Sequence, residues 1–190
     1  MMECMVRVKD LHDAVATAAR WTSGVDRLDH IWVFPTEDPT SIRIFGSDNL
    51  RLVAVDIDVT DRTDGALGFG IHRDDVLTII PYLQRYAFKG DTYIGMVVTS
   101  ERWSLSGAMG RVDGLVNVKP PDFNAAVRDP ASTDARININ PRLFGDEFGE
   151  MFGDRLEQLN VQMFVGGPEE SIVFITEGVR AWVMPMRPLE

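Results

Sequence analysis

Cysteine and long apolar segments are scarce in this chain, and each shortage excludes a class of protein. Cys4 is the only cysteine among 190 residues, so neither an intrachain disulfide nor a metal site built from several cysteines can form. No apolar run reaches the roughly 18 residues of a membrane-spanning helix, and the start, MMECMVRVKD, lacks the apolar segment of a signal peptide. With 45% hydrophobic residues, the sequence predicts a globular protein of the cytoplasm.

Positively charged residues are also few relative to negatively charged ones. The chain has 19 Lys and Arg against 29 Asp and Glu, which gives a formal net charge of -10. Such a balance disfavours tight binding of nucleic acid, because phosphate contacts require concentrated Lys and Arg. It remains compatible with a protein that surrounds a duplex with one weakly basic surface and keeps an acidic exterior.

The motifs of common enzyme classes are missing. The three histidines are His12, His30 and His72, and no pair has the spacing of metal ligands on a helix. We expect His12 and His72 to be surface residues in or beside helices. No phosphate loop, nucleophile elbow or glycine fingerprint follows a predicted strand. The sequence therefore predicts no catalytic activity, metal or cofactor, and an enzyme assembled from carboxylates is kept only as a third interpretation.

Residues 41–59, SIRIFGSDNLRLVAVDIDV, predict two strands joined by a tight turn. Ile42 and Ile44 alternate with Arg43 and Phe45, and the second strand repeats this period of two, which is typical of a packed hairpin. The turn is predicted at residues 46–49, since Asp and Asn tolerate left-handed backbone geometry. A core hairpin without further role is the simpler interpretation.

The order of one strand, one helix and three strands recurs three times, at a period of about 60 residues. The first helix is predicted from Lys9 to Trp21, and the second begins at Arg73, where we expect Pro81 to kink the helix or confine it to a short first segment. The sequence predicts an α+β fold in which antiparallel sheets carry helices on one face. Its parts are a two-repeat domain (1–119), a linker rich in Pro and Asp (120–134) and a half-domain of one repeat (135–188).

Three stretches resemble the bacterial DNA polymerase III beta sliding clamp. GSDNLRLVAV is similar to that family's turn and strand, which reads roughly T-D-G-x-R-L-A, and the ending VMPMR matches its C-terminal signature. PPDFNAAVRDP, residues 120–130, is similar to the linker between family domains. The resemblance covers nearly all of this chain, while about half of a family chain has no counterpart. It implies a shortened, clamp-like fold with helices lining the inside and sheets forming the outside.

In that family, a groove between the hairpin turn, the linker and the C-terminal residues accepts short apolar peptides of polymerases and repair proteins. The resemblance places such a groove here at Ser47, Asn49, Leu50, Arg51 and Leu52 of the hairpin, Pro121 and Ala125 of the linker, and Trp182, Met184, Pro185, Met186 and Arg187 of the tail. Methionine suits a groove with several partners because it is flexible. The alternative is that Trp182 and Met184 are core residues of a last strand.

The resemblance also implies double-stranded DNA as a partner, enclosed with weak direct contacts by the helices. The DNA-facing candidates are Lys9, Arg20, Arg73, Arg85 and Lys89, for which an ordinary solvated helix face is the alternative. The third predicted helix is acidic and would repel phosphates. It carries Gly145, Gly149 and Gly153, which cost about 1 kcal/mol each inside a helix and would let a second helix approach closely. The alternative is a weak, partly frayed helix.

An unpaired third repeat predicts a homo-oligomer. We expect the third repeat to meet its copy in a second chain, so that two chains rebuild a whole domain and two such dimers supply a four-chain ring. Through the resemblance, the sequence predicts a processivity clamp or clamp-like docking platform of DNA replication in a bacterium or phage. The second interpretation is an adaptor or competitor that binds clamp partners without encircling DNA.

Overall fold

The computed structural model describes twelve strands and two α-helices. The residues described are 1–24, 26–48, 51–63, 68–87, 92–108, 110–116, 119–121, 123, 135–139, 161–165, 172–176 and 178–183, with the backbone alone at 26, 27, 87, 135–139, 161, 162, 164 and 165. The strands are β1 (Met2–Arg7), β2 (His30–Pro35), β3 (Ser41–Ser47), β4 (Arg51–Thr60), β5 (Phe69–His72), β6 (Tyr93–Val98), β7 (Arg102–Gly107), β8 (Gly110–Leu115), β9 (Ala135–Ile139), β10 (Val161–Val165), β11 (Ile172–Thr176) and β12 (Val179–Val183). The helices are α1 (Val8–Ala19) and α2 (Arg73–Ala87).

Helix α2 excludes one of the two effects expected of Pro81, confinement of the helix to a short first segment. The helix continues through this residue to Ala87. A proline inside a helix removes one hydrogen bond, to the carbonyl group four residues earlier, here that of Leu77. Both Pro81 and Leu77 lie on the exposed side of α2, where water can bind the released carbonyl group. The buried stripe, which includes Ile79 and Leu83, is left intact.

The first two repeats exchange their first strands. β1 pairs with β6 of the second repeat, and β5 pairs with β2 of the first, both antiparallel. The result is two four-stranded sheets with the orders β1-β6-β7-β8 and β5-β2-β3-β4, which meet where the ends of β1 and β4 pair. Helices α1 and α2 pack against each other across these sheets. The main core consists of buried side chains from both helices and from the sheet faces that they cover.

The third repeat keeps its first strand to itself. β9 pairs with β10 of the same repeat, and the order β9-β10-β11-β12 repeats the first-to-fourth order of the other two sheets. The sheet of this repeat therefore has its full set of four strands without a second chain. β12 in turn pairs with β4, so the sheet of the third repeat continues that of the first. The helix predicted at residues 141–155 lies outside the described residues.

The hairpin of β3 and β4 is the central element of the fold. β4 pairs with β3 along one edge and with β12 along part of the other, and its residues are buried on both faces. The predicted turn is one correction, because β3 runs through Gly46 to Ser47 and the turn starts at Asp48. A Cβ atom on Gly46 would lie 2.1 Å from the carbonyl oxygen of Ala18, so glycine here allows α1 to lie directly on β3.

Candidate functional site

The hairpin and the tail, two of the three stretches that resemble clamps, lie side by side. In the antiparallel pairing of β4 with β12, Leu52 is opposite Trp182 and Arg51 is opposite Val183. Successive side chains of a strand point to opposite faces. Leu52 and Trp182 consequently share the sheet face that is turned away from α1 and α2.

A second apolar cluster covers this face, which we call the outer-face cluster. It consists of Trp32, Phe45, Leu52, Ala54, Phe123, Val173 and Trp182, with Phe34 and Ile175 packed at its margin. An outer sheet face exposed to water is normally polar, so a buried apolar cluster here requires a cover. Phe123 of the linker supplies part of that cover. Its ring stacks on Phe45 at a centroid distance of 4.7 Å and lies edge-on to Phe34 at 5.9 Å.

Pro121 and Phe123 of the linker, the third clamp-like stretch, lie at the same junction of β4 and β12. Pro121 and Phe123 line a cavity of about 740 Å³, together with Phe34 and Phe45 of the cluster. The lining also includes the charged residues Arg43, Asp56 and Arg180, which lie on the same sheet face as Phe45. The cavity thus offers apolar contacts for a side chain and polar groups for a peptide backbone.

The charged part of the lining is held rigidly by cross-strand bonds. Arg43 donates two hydrogen bonds to the Asp56 carboxylate, at 2.6 and 2.8 Å, in the bidentate geometry that fixes an arginine most firmly. At the cavity mouth, hydrogen bonds from the side chain and backbone of Thr40 hold the pKa of Asp38 below its usual value. Asp38 therefore stays ionised to lower pH than an ordinary aspartate.

Apart from Arg51, the predicted groove residues fall into three groups. Leu52 and Trp182 are buried, with exposures of 2% and 1%, and form the floor of the outer-face cluster, while Pro121 lines the cavity. Ser47 is the last residue of β3, and its hydroxyl group donates to the carbonyl oxygen of Arg51. The remaining residues, Asn49, Leu50, Ala125, Met184, Pro185, Met186 and Arg187, lie outside the described residues.

Arg51 is not brought together with the other groove residues. It pairs with Asp48 at 2.6 Å, and its guanidinium carbon lies 5.3 Å from the ring centroid of Trp21, at the end of α1. Arg51 therefore lies on the helix side of the sheet, opposite to Leu52, because adjacent residues of a strand alternate between faces.

Sequence reasoning missed Trp32, Phe45 and Phe123 as site residues. A signal was present in β2, HIWVFP, where apolar residues occupy both phases of the alternation. Such a strand is covered on both faces. Phe123 was noted only as the linker's aromatic residue, and its place over Phe45 depends on the tertiary fold.

The DNA-facing candidates lie on the side opposite to the outer-face cluster. Lys9 and Arg20 of the first helical segment and Arg73 and Arg85 of α2 are exposed, whereas Lys89 lies outside the described residues. Lys9 is paired with Asp13 at 2.8 Å, so part of its charge is neutralised locally. The helices also expose Leu77, at 71%. This surface is mixed rather than strongly basic.

Two of the three histidines, His30 and His72, lie together in the fold although they are far apart in sequence. His30 and His72 face each other across β2 and β5, with ring centroids 5.0 Å apart, and both contact the Asp29 carboxylate. His72 is half-exposed and His30 is buried. Within the part of the chain that is described, no three His, Cys, Asp or Glu side chains are arranged to hold a metal ion. The pair is therefore a structural link between two strands.

The described helices include none long and apolar enough to span a membrane.

Comparisons with known proteins identify the fold. No family model matches the chain, and no curated protein sequence does. Solved structures do match. The DNA polymerase sliding clamp of Bacillus subtilis superposes with a TM-score of 0.78 at 10% identity, over 98% of this chain and 64% of the clamp chain. The DnaN sliding clamp (DNA polymerase III subunit beta) of Pseudomonas aeruginosa, bound to griselimycin, gives 0.79 at 12% identity, over 97% and 65%.

A third match is the beta clamp of Helicobacter pylori bound to a DNA ligase peptide, with a TM-score of 0.76 at 11% identity, over 98% of this chain and 66% of that one. The matched region leaves about a third of each clamp chain uncovered, against the half expected from the sequence. These likenesses confirm the predicted α+β fold and its resemblance to bacterial sliding clamps. This protein has the fold of a bacterial DNA polymerase III beta sliding clamp, and it spans about two thirds of the length of the solved clamps.

Proposed function

We propose that this protein is a clamp-like docking platform of DNA replication that binds short apolar peptide motifs of polymerases and of other replication or repair proteins. The observation that carries the proposal is the junction of β4 with β12 under Phe123. Here the three stretches with clamp-like sequences come together around one apolar cluster and one cavity. The protein itself has no catalytic activity in this proposal and acts by holding its partners.

Several features of the junction favour a peptide ligand. The cavity has apolar residues beside a bidentate Arg43–Asp56 pair, which suits a chain of apolar side chains with a polar backbone. β12 ends at Val183, the first residue of the VMPMR motif, and its neighbour Trp182 belongs to the outer-face cluster. The clamp of Helicobacter pylori, which has the same fold, was captured with a DNA ligase peptide.

A peptide titration tests the docking proposal. Burial of two or three large apolar side chains at about 25 cal/mol per Å² yields several kcal/mol before ordering costs, and we expect a dissociation constant on the order of micromolar. A fluorescent peptide rich in Gln, Leu and Phe is titrated into the full chain and into a chain that ends at Val183. This truncation keeps every residue of β12 and removes the tail motif. We expect saturable binding to the full chain and at least tenfold weaker binding to the truncated one.

The control for this titration is the double variant Arg20→Glu, Arg85→Glu. Both residues are on the helices, on the far side of the sheet from the cluster, so its peptide affinity should equal that of the full chain. If the folded full chain gives no saturable binding, or the truncation leaves the affinity unchanged, the site is not a peptide groove.

Within this proposal the protein is a processivity factor that encircles double-stranded DNA and works in the cytoplasm of a bacterium or of a phage host. The exposed Lys9, Arg20, Arg73 and Arg85 would face the duplex, with Lys89 beyond α2, and contact would be weak. We expect low affinity for linear duplex that falls steeply with salt, because phosphate binding releases counterions. The Arg20→Glu, Arg85→Glu variant should lose this binding and keep peptide binding. Unchanged duplex affinity would remove these helices from the DNA-facing surface.

One observation favours the second candidate, an adaptor or competitor that binds clamp partners without encircling DNA. Lys9 is already paired with Asp13, and the net charge of the chain is -10. An adaptor would bind the peptide and show no salt-dependent affinity for duplex. If the protein is retained on closed circular DNA after enzymatic loading and is released when the circle is linearised, it encircles DNA and the adaptor interpretation is excluded.

A further inference from the structure

The connection between β3 and β4 is closed by contacts between Asp48 and Arg51. Arg51 donates hydrogen bonds to the Asp48 carboxylate from its backbone amide and from Nε, each at 2.8 Å, and its Nη2 atom lies 2.6 Å from the same group. The carbonyl oxygen of Arg51 accepts from the Asp48 amide at 3.2 Å and from the Ser47 hydroxyl group at 2.9 Å. Both the backbone and the side chain of Arg51 therefore hold the end of β3.

The same arginine ties this connection to the helix side of the sheet. Its guanidinium carbon lies 5.3 Å from the ring centroid of Trp21, which is the arrangement of a cation–π contact. Trp21 is buried in the main core, and its amide group donates to the carbonyl oxygen of Ala18 at 3.0 Å. Ala18 is also the residue at which α1 lies directly on Gly46 of β3. Arg51 is thus anchored on a buried part of the fold.

Arg51 itself does not face the docking site. Its neighbour Leu52 lies on the outer face with Trp182, and adjacent residues of a strand alternate between faces. In the sequence, however, Asn49 and Leu50 lie between Asp48 and Arg51, and the resemblance assigns both of them to the groove. A contact that fixes both ends of a two-residue connection restricts the positions that these two residues can take.

We propose that Arg51 is a positioning residue of the docking site, which acts through Asp48 on Asn49 and Leu50 and does not contact the peptide. The inference rests on the proposed function, because it assigns Arg51 a role in peptide docking. A segment that is already held in one conformation loses less freedom when a ligand binds to it. Loss of the ion pair should therefore weaken the peptide complex far more than the fold, since exposed ion pairs contribute little to folding stability.

The chain contains a matched control for this ion pair. The Nε atom of Arg7 lies 2.6 Å from the Asp10 carboxylate, and the two side chains are 44% and 17% exposed. The corresponding exposures of Arg51 and Asp48 are 45% and 17%, and both pairs join residues three positions apart. Arg7 ends β1, which pairs with β4 at Val59 and Thr60, the opposite end of β4 from Arg51. Replacement of Arg7 therefore measures the effect of losing such a pair away from the docking site.

Titration of the fluorescent peptide into Arg51→Met and Arg7→Met tests the inference. Methionine keeps an apolar stem and removes the charge and the donors. We expect Arg51→Met to raise the dissociation constant at least tenfold and Arg7→Met to leave it unchanged. The urea midpoints of both variants should stay within about 0.5 M of wild type. Arg51→Lys keeps a positive charge near Asp48 and Trp21, and it should bind the peptide at least threefold more tightly than Arg51→Met.

A double-mutant cycle separates positioning from direct contact. Asp48→Ala should weaken peptide binding as much as Arg51→Met does. The double variant Asp48→Ala, Arg51→Met should bind no more weakly than either single variant, because residues that act through one shared contact are not additive. Losses that add would instead show that Arg51 contacts the peptide itself.

Three outcomes would overturn the inference and leave the proposed function standing: wild-type affinity in folded Arg51→Met, an equal loss in Arg7→Met, or additive losses in the cycle. If Arg51→Met does not fold, Asp48→Ala decides, and an unchanged affinity of that variant overturns the inference. If the wild-type chain gives no saturable binding, the proposed function fails and the inference fails with it. Circular dichroism of each variant establishes that it is folded.

Discussion

Replacement of Phe123 by alanine tests whether one aromatic ring holds the linker on the outer-face cluster. Phe123 is 8% exposed and contacts three aromatic residues of the sheet. Its ring stacks on Phe45 with an interplanar angle of 14°, lies edge-on to Phe34 and is tilted against Trp32. Truncation to alanine removes all three contacts and opens the cluster to water.

The expected loss of stability follows from this environment. Phe→Ala in a closed core costs about 3–5 kcal/mol, as lost transfer energy plus the energy of the cavity. Phe123 lies beside a cavity of about 740 Å³, so water can enter the space and reduce the cavity penalty. We therefore expect a loss near the lower end, about 3 kcal/mol. Of this, the stacked pair with Phe45 should account for about 0.5–1.5 kcal/mol as a coupling energy.

Urea unfolding followed by tryptophan fluorescence measures both quantities, since Trp32 and Trp182 belong to the same cluster. Phe123→Ala, Phe45→Leu and the double variant complete a mutant cycle. Phe123→Leu is the matched control and should cost less than about 1.5 kcal/mol, because an apolar side chain still covers the sheet. A loss below about 1 kcal/mol for Phe123→Ala, or no coupling with Phe45, would refute the anchoring role of Phe123.

Two further predictions concern the core. Gly46→Ala forces a Cβ atom to within 2.1 Å of the Ala18 carbonyl oxygen, and because backbone cannot yield easily, thermal unfolding should show a loss of about 3 kcal/mol or more; Gly24→Ala, which meets nothing within 4 Å, is the control and should be nearly neutral. Burial raises the pKa of Cys4 to about 11, so a thiol reagent at pH 8 should modify the native chain about a hundredfold more slowly than the unfolded chain, and equal rates would contradict this burial.

Local patterns in the sequence predicted most of the secondary structure. The alternation in residues 41–59 predicted β3 and β4, and the first helix, predicted from Lys9 to Trp21, corresponds to α1. Both features depend on residues that are close in sequence, so the periodicity of the apolar residues predicts them directly. The exceptions, Gly46 and Pro81, were judged by residue type alone. Gly46 serves the close approach of α1 rather than a turn, and Pro81 is tolerated because its side of α2 faces water.

Pairings between distant segments could not be predicted in this way. The sequence HIWVFP does not indicate that Trp32 pairs with Gly70 or that His30 pairs with His72. This register results from the exchange of β5 into the first repeat. Likewise, the motif resemblance predicted that hairpin and tail meet, but not that Trp182 and Leu52 are buried opposite each other. Arg51 was assigned to the groove by its place in the motif, whereas the period of two places it on the opposite face from Leu52.

The setting of β4 is compatible with the proposal that one junction is both a structural joint and the floor of a docking site. β4 is paired on both edges, with β3 and β12, and is buried on both faces, by the main core and by the outer-face cluster. A strand constrained on four sides has little freedom left, so a ligand that binds over Leu52 and Trp182 need not order the sheet. In the proposed docking mode, we expect the ordering cost to fall on the ligand, the linker and the tail rather than on the sheet. Because affinity depends on what remains after such costs, changes in these two segments should alter peptide affinity more than equally conservative changes in β4 do.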